Sequence, residues 1–249
     1  MPVRVLPDQA AWARAGVELI LDAARRATAQ RGRFCLGLAG GGTPAPVYEL
    51  LAGAPWAEMM PWPVCHLFWG DERCVLPDDP RSNFGACRHW LTRLAGLGLA
   101  AGQVHRIPGE TSPPARAAHL YDTHLRGFFA GGPPAFDLLL LGLGADGHIA
   151  SLFPHSLALA EDAAWVLATG PPPDVKPAVA RVSLTLPAIN AAHQVVFLAS
   201  GAAKAGIVAR ALAWSGPGTP DLPVSLVRPA HGEPLWLLDA QCLGNQSGS

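Results

Sequence analysis

Six short apolar runs, at 34–38, 64–69, 104–107, 136–141, 182–186 and 195–199, constrain the fold of this chain more than any other feature. A strand with one wet face alternates polar and apolar residues. A continuous apolar run bounded by loop signals is buried on both faces, which points to a mostly parallel sheet with helices on either side. Most of these runs are separated by helical segments, so the expected class is α/β and Rossmann-like, and 249 residues suit one such domain. We expect that domain to span 1–243, followed by a polar tail at 244–249. No repeat of the length that marks solenoids or propellers is visible.

Local signals agree with that rhythm. Asp8 can cap a helix with apolar residues at Trp12, Ala15, Leu19 and Ala23, and Gly32 can stop it. A strand follows at 34–38 and runs into Gly40, Gly41 and Gly42. Thr43 is then expected as the cap of a second helix, with Pro44 at its first position, where a missing amide proton costs nothing. Sheets of this kind bind ligands at the carboxyl ends of their strands, so chemistry should collect in the loops beginning near Gly40, Gly70, Gly142 and Gly201.

Composition removes several function classes. The formal net charge is -1 and 15% of residues are charged, so no basic field exists for nucleic acid or an anionic membrane. The longest aliphatic stretch, around 138–141, is too short to span a bilayer, and the opening residues show no apolar run after a basic segment, so we expect an unexported protein. The five cysteines are spread out and include no Cys-x-x-Cys pair, which fits reduced thiols in a cytoplasmic protein. We expect a small-molecule partner, no metal, no cofactor, and a monomer or weak homo-oligomer, the last being an expectation that composition does not decide.

Four segments can carry chemistry. Gly40, Gly41, Gly42 and Thr43 offer backbone amides before a helix, which suits phosphate or sugar, although a plain capped turn would look similar. Asp71, Glu72 and Arg73 end an apolar run; they are a carboxylate and guanidinium for a polyol or lactone, or merely a solvated loop. Gly142, Gly144 and Gly147 satisfy G-x-G-x-x-G, yet Asp146 would face a pyrophosphate with like charge and Pro154 interrupts the required helix, so dinucleotide binding is rejected. What remains is a turn that presents His148, with the Asp146 carboxylate two residues away to orient it. Finally, Arg181 opens a strand and Lys204 sits in the first turn after another. A lysine there opposes the helix dipole unless an anion binds.

Taken in order, these segments resemble the 6-phosphogluconolactonase family, within the group that includes glucosamine-6-phosphate deaminase. The resemblance lies in Leu38 to Pro44, Trp69-Gly70-Asp71-Glu72-Arg73, Ser82-Asn83, Gly142 to Pro154, Arg181 to Pro187 and Gly201 to Lys204. It departs at Ile149, where threonine is usual, and at His155, where glycine is more familiar. It implies a lactonase acting on a sugar-phosphate lactone without metal or cofactor. His148 is then the base, with Asp71, Arg73 and Asp146 around the reacting end, and Gly41, Gly42, Thr43, Arg181 and Lys204 hold the phosphate. Ser151 as a nucleophile lacks a Gly-x-Ser-x-Gly context. The rival activities are a hexosamine-phosphate deaminase using Asp71 as carbon base, and a non-catalytic sugar-phosphate sensor.

Overall fold

The computed structural model describes residues 2–130, 132–171 and 175–244. The chain opens with β1 (Val3–Leu6), and Asp8 then caps α1 (Gln9–Arg31) by accepting a hydrogen bond from the Ala11 N–H at 2.8 Å. Gly32, left-handed at φ 70°, ends that helix and returns its N–H to the Thr28 carbonyl. After it come β2 (Phe34–Leu38), α2 (Ala45–Leu51), β3 (Cys65–Trp69), β4 (Asp71–Arg73), α3 (Asn83–Ala95), β5 (Val104–His105) and α4 (Pro114–Phe128). The second half contains β6 (Leu138–Gly142), β7 (Val166–Thr169), β8 (Arg181–Leu184), α5 (Leu186–Asn190), β9 (Val195–Ala199), α6 (Ala205–Ala213) and β10 (Leu235–Asp239).

Seven strands form one parallel sheet in the order β1-β10-β9-β6-β2-β3-β5. Every residue of β2 and β9 is buried, as their unbroken apolar character requires. Trp12 of α1 is fully buried, and its indole N–H donates to the Leu237 carbonyl at 2.9 Å, tying the first helix to β10. From β2 the chain builds towards β3 and β5 on one side, while β6, β9, β10 and β1 lie on the other. The loops after β2 and β6 therefore diverge at a topological switch point, where a crevice opens between them.

Two expectations need correction. The run at 182–186 is not part of the parallel sheet: β8 is the centre of a separate antiparallel sheet, order β4-β8-β7, and Thr185 leaves it to cap α5. Thr43 does not cap α2. Pro44 holds that place, and the Ala45 N–H that a threonine cap would engage donates instead to the Gly42 carbonyl at 3.3 Å. Of the expected tail, 245–249 lies outside the described residues.

Candidate active site

A cleft of about 270 Å³ opens at the switch point. Its walls include Gly41, Gly42 and Thr43 after β2, Asp71 and Arg73 of β4, His148 after β6, Arg181 of β8 and Lys204 before α6. Asp146 lies just outside and lines an adjoining cavity with His148. Residues far apart in sequence, read singly as candidates, thus meet in one place. Lys176 lines the same cleft and was not foreseen, since a lysine in a Pro-rich loop carries no pattern.

Strand geometry sorts the Asp-Glu-Arg run. Alternation sends Asp71 and Arg73 to one face and Glu72 to the other. Glu72 is buried away from the cleft, where it accepts from the Asn83 N–H at 2.7 Å, the Phe84 N–H at 2.8 Å and the Ser82 hydroxyl at 3.0 Å. It thereby fixes the start of α3 next to Ser82, the cap of that helix. The solvated-loop reading of the run fails, because Asp71 and Glu72 are both buried. Asp71 accepts from the Ser151 hydroxyl at 2.6 Å and from the Asn83 side-chain amide at 3.1 Å. Asn83 gets there by passing directly over Gly40, where a Cβ would stand 2.1 Å from its amide carbon. Ser151 is fully buried, and its hydroxyl is spent on Asp71 rather than offered to the cleft.

The loop after β6 is folded around His148. The Gly144 N–H donates to the His148 carbonyl at 2.9 Å, and a Cβ on Gly144 would lie 2.0 Å from the imidazole Nδ1, so a side chain at 144 would evict the ring. Nδ1 is 2.6 Å from Asp146 Oδ1, which also accepts from the His148 backbone N–H at 3.0 Å. Burial pushes the Asp146 carboxyl up, but the hydrogen bond and charge of His148, with backbone N–H groups, outweigh it and hold the carboxyl below its usual range. An ionised Asp146 favours the tautomer protonated at Nδ1, which leaves Nε2 as a free acceptor. His155 adopts φ 57°, in the left-handed region that glycine enters at no steric cost, which accounts for the residue more usual at that point of the motif.

The remaining walls are positive. Arg73 and Arg181 face each other across the β4–β8 ladder, so two like charges are direct cross-strand neighbours. Arg181 is 3% exposed; burial lowers its pKa, with Asp71 opposing that shift and Arg73 adding to it. The Nε atoms of both arginines are buried and, among the described residues, have no hydrogen-bond partner. Lys204 Nζ donates to the Leu143 carbonyl at 2.6 Å. From the described residues, the backbone N–H groups of Gly41, Gly42 and Thr43 receive no acceptor. Arg73, Lys176, Arg181 and Lys204 against Asp71 make a local excess of cations in a chain of net charge -1. Such a site suits a small, doubly charged anion. Among the described residues no group of three or more His, Cys, Asp or Glu side chains is placed to hold a metal ion.

Residues 7–236 match the family described as glucosamine-6-phosphate isomerases/6-phosphogluconolactonase. The chain is 43% identical over 244 residues to a 6-phosphogluconolactonase of Nostoc sp., covering 96% of this chain and 95% of the relative. It is 37% identical to one from Mycobacterium tuberculosis, covering 95% of each. The crystal structure of 6-phosphogluconolactonase from Thermotoga maritima superposes with a TM-score of 0.80 at 31% identity, covering 96% of this chain and 99% of that one.

Proposed function

The chain belongs to the glucosamine-6-phosphate isomerase/6-phosphogluconolactonase family, and from that premise we propose that it hydrolyses 6-phospho-D-glucono-1,5-lactone to 6-phospho-D-gluconate, a step of the pentose phosphate pathway. The observation that carries the reading is the Asp146–His148 pair at 2.6 Å, set at the mouth of a cation-rich cleft. A δ-lactone is an activated ester, so a positioned base and charge stabilisation suffice for its hydrolysis.

In the proposed reaction the phosphate lies against the free amides of Gly41, Gly42 and Thr43, with Arg181 and Lys204 as counter-charges. His148 Nε2 takes a proton from water as the water oxygen bonds to C1. Charge develops on the carbonyl oxygen and is met by Arg73 or by backbone N–H groups. The C1–ring oxygen bond then breaks, the imidazolium returns its proton to the departing oxygen, and the acid released ionises. Asp146 stabilises the imidazolium, while Asp71, pinned by Ser151 and Asn83, orients substrate hydroxyls. The reading extends to a cytoplasmic monomer or weak homo-oligomer without nucleic-acid or membrane partners; among the described residues no helix is long and apolar enough to cross a membrane.

Purified protein is to be given 6-phosphogluconolactone and, separately, glucosamine 6-phosphate. Lactone loss well above the spontaneous rate, with no ammonia from the amino sugar, is expected. Ammonia release without lactonase activity would establish the deaminase instead, and binding of both without turnover would establish a sensor.

A further inference from the structure

We infer that Phe153 is a positioning residue that sets the basicity of His148 and links it to the anion-binding Arg181. Its ring centre lies 4.5 Å from that of His148 with the planes inclined at 47°. The guanidinium carbon of Arg181 lies 5.4 Å from the same ring centre. Phe153 walls the adjoining cavity of about 750 Å³ rather than the cleft, so it touches both groups from behind and leaves the substrate's space open.

The local fold fixes this placement. Ile149 and Leu152, both fully buried, form an isolated bridge, and the Leu152 N–H donates to the Ile149 carbonyl at 2.9 Å. Between them Ser151 is pinned by its hydroxyl to Asp71 and by its N–H to the Ser183 hydroxyl at 3.1 Å. This tight turn folds the chain back on itself and lays Phe153 against the imidazole five residues before it.

Resting on the role proposed above for His148, the consequence is electrostatic. In turnover the imidazole becomes a cation when it takes the proton from water, and it does so near a buried guanidinium that water screens poorly. An aromatic face attracts cations, so the Phe153 ring offsets part of that repulsion, as Asp146 does through Nδ1. The other charged groups around His148 are Asp71, Arg73 and Lys204 of the cleft, Lys176 on the shared rim, and His155 in the cavity. Among the described residues none of these makes a ring contact with Phe153, whose charged or titratable neighbours are His148 and Arg181.

The test is the pH dependence of kcat/KM on the phosphorylated lactone for Phe153→Leu and Phe153→Tyr, with His148→Asn as control. A difluorophenylalanine placed at 153 keeps the ring's shape while weakening its face, and covers the case in which the leucine variant does not fold. The acid limb is expected to move to lower pH by roughly half a unit in the leucine and fluorinated proteins. A rise of about threefold in KM for the phosphorylated lactone but not for gluconolactone should accompany it in the leucine variant, with tyrosine restoring both. An acid limb that depends on His148 but stays in place when the ring is changed would overturn this role of Phe153 alone. A wild-type limb that does not depend on His148 would instead remove the base on which the inference stands.

Discussion

His148 and His105 are the same side chain set in two regions of one sheet, and their surroundings give them opposite chemistry. His148 follows the central strand β6; one ring nitrogen is held by a carboxylate and the other is left towards a polar cleft. His105 lies on the edge strand β5, with its ring stacked on Phe68 at 4.4 Å and 11°. Its Nε2 is 3.0 Å from His66 Nδ1 and its Nδ1 is 2.8 Å from His124 Nε2, so neither nitrogen is spare. Burial, reinforced by the charges of His124 and His66, pushes its pKa down to about 4. A histidine serves as a base when a carboxylate fixes one nitrogen and the other is free. With both nitrogens tied to imidazoles in an apolar stack, it is a neutral structural linker.

The largest effect that would break this contrast is on the rate. His148→Asn should lower kcat by about a hundredfold or more, the usual contribution of a positioned general base, with substrate affinity nearly unchanged. His105→Phe, which keeps a ring against Phe68, should leave kcat within about twofold, since among the described residues its ring and hydrogen-bond partners are His66, Phe68, His124 and Phe128, none of them a wall of the cleft. Near wild-type turnover in His148→Asn would move the base elsewhere, with Asp71 the next candidate.

The cation side of the cleft gives the next effect. Arg181→Ala or Lys204→Ala should raise KM for the phosphorylated lactone by about tenfold to a hundredfold, the worth of a charge-assisted contact. Unphosphorylated gluconolactone should be nearly indifferent. Equal losses on both substrates would show that these side chains do not hold the phosphate.

The smallest effect is on stability. Because the folded-state pKa of His105 lies below the ordinary histidine value of about 6.5, the unfolded chain takes up the proton first. Its contribution is complete above that value and is lost as pH falls towards about 4. Denaturant titrations of wild type across this window should therefore show an excess loss of up to roughly 1.4 kcal/mol per pH unit over His105→Phe. Identical slopes in the two proteins would show that the stack is not what excludes the proton.

How far the molecule was legible beforehand follows from which forces are local. The parallel strands β2, β6 and β9 announce themselves because burial on both faces leaves them without polar side chains, and β3 follows with His66 as its one polar residue. Helix α1 is equally plain, with Asp8 and Gly32 at its ends. β1 was missed because it is an edge strand with exposed Val3 and Val5, and β4 because three charged residues do not look like a strand. The antiparallel sheet of β4, β8 and β7 could not be read, since partner and direction are set by contacts remote in sequence. In the site, the glycine loops, His148 and the cationic residues were visible as types. The partition of Asp71, Glu72 and Arg73 between two faces was hidden in a period of two over three residues. The support of Asp71 by Ser151 and Asn83, and the presence of Lys176 on the rim, depend on folding alone.

The most direct measurement is kcat/KM against pH for wild type and His148→Asn, with spontaneous lactone hydrolysis subtracted at each point. Asp146 is held below the usual carboxylate range, so it stays ionised and the acid limb of the wild-type profile should report a single proton on the imidazole. That limb should be present in wild type and absent from the variant. A limb of the same position and steepness in both proteins would contradict the assignment of His148 as the base.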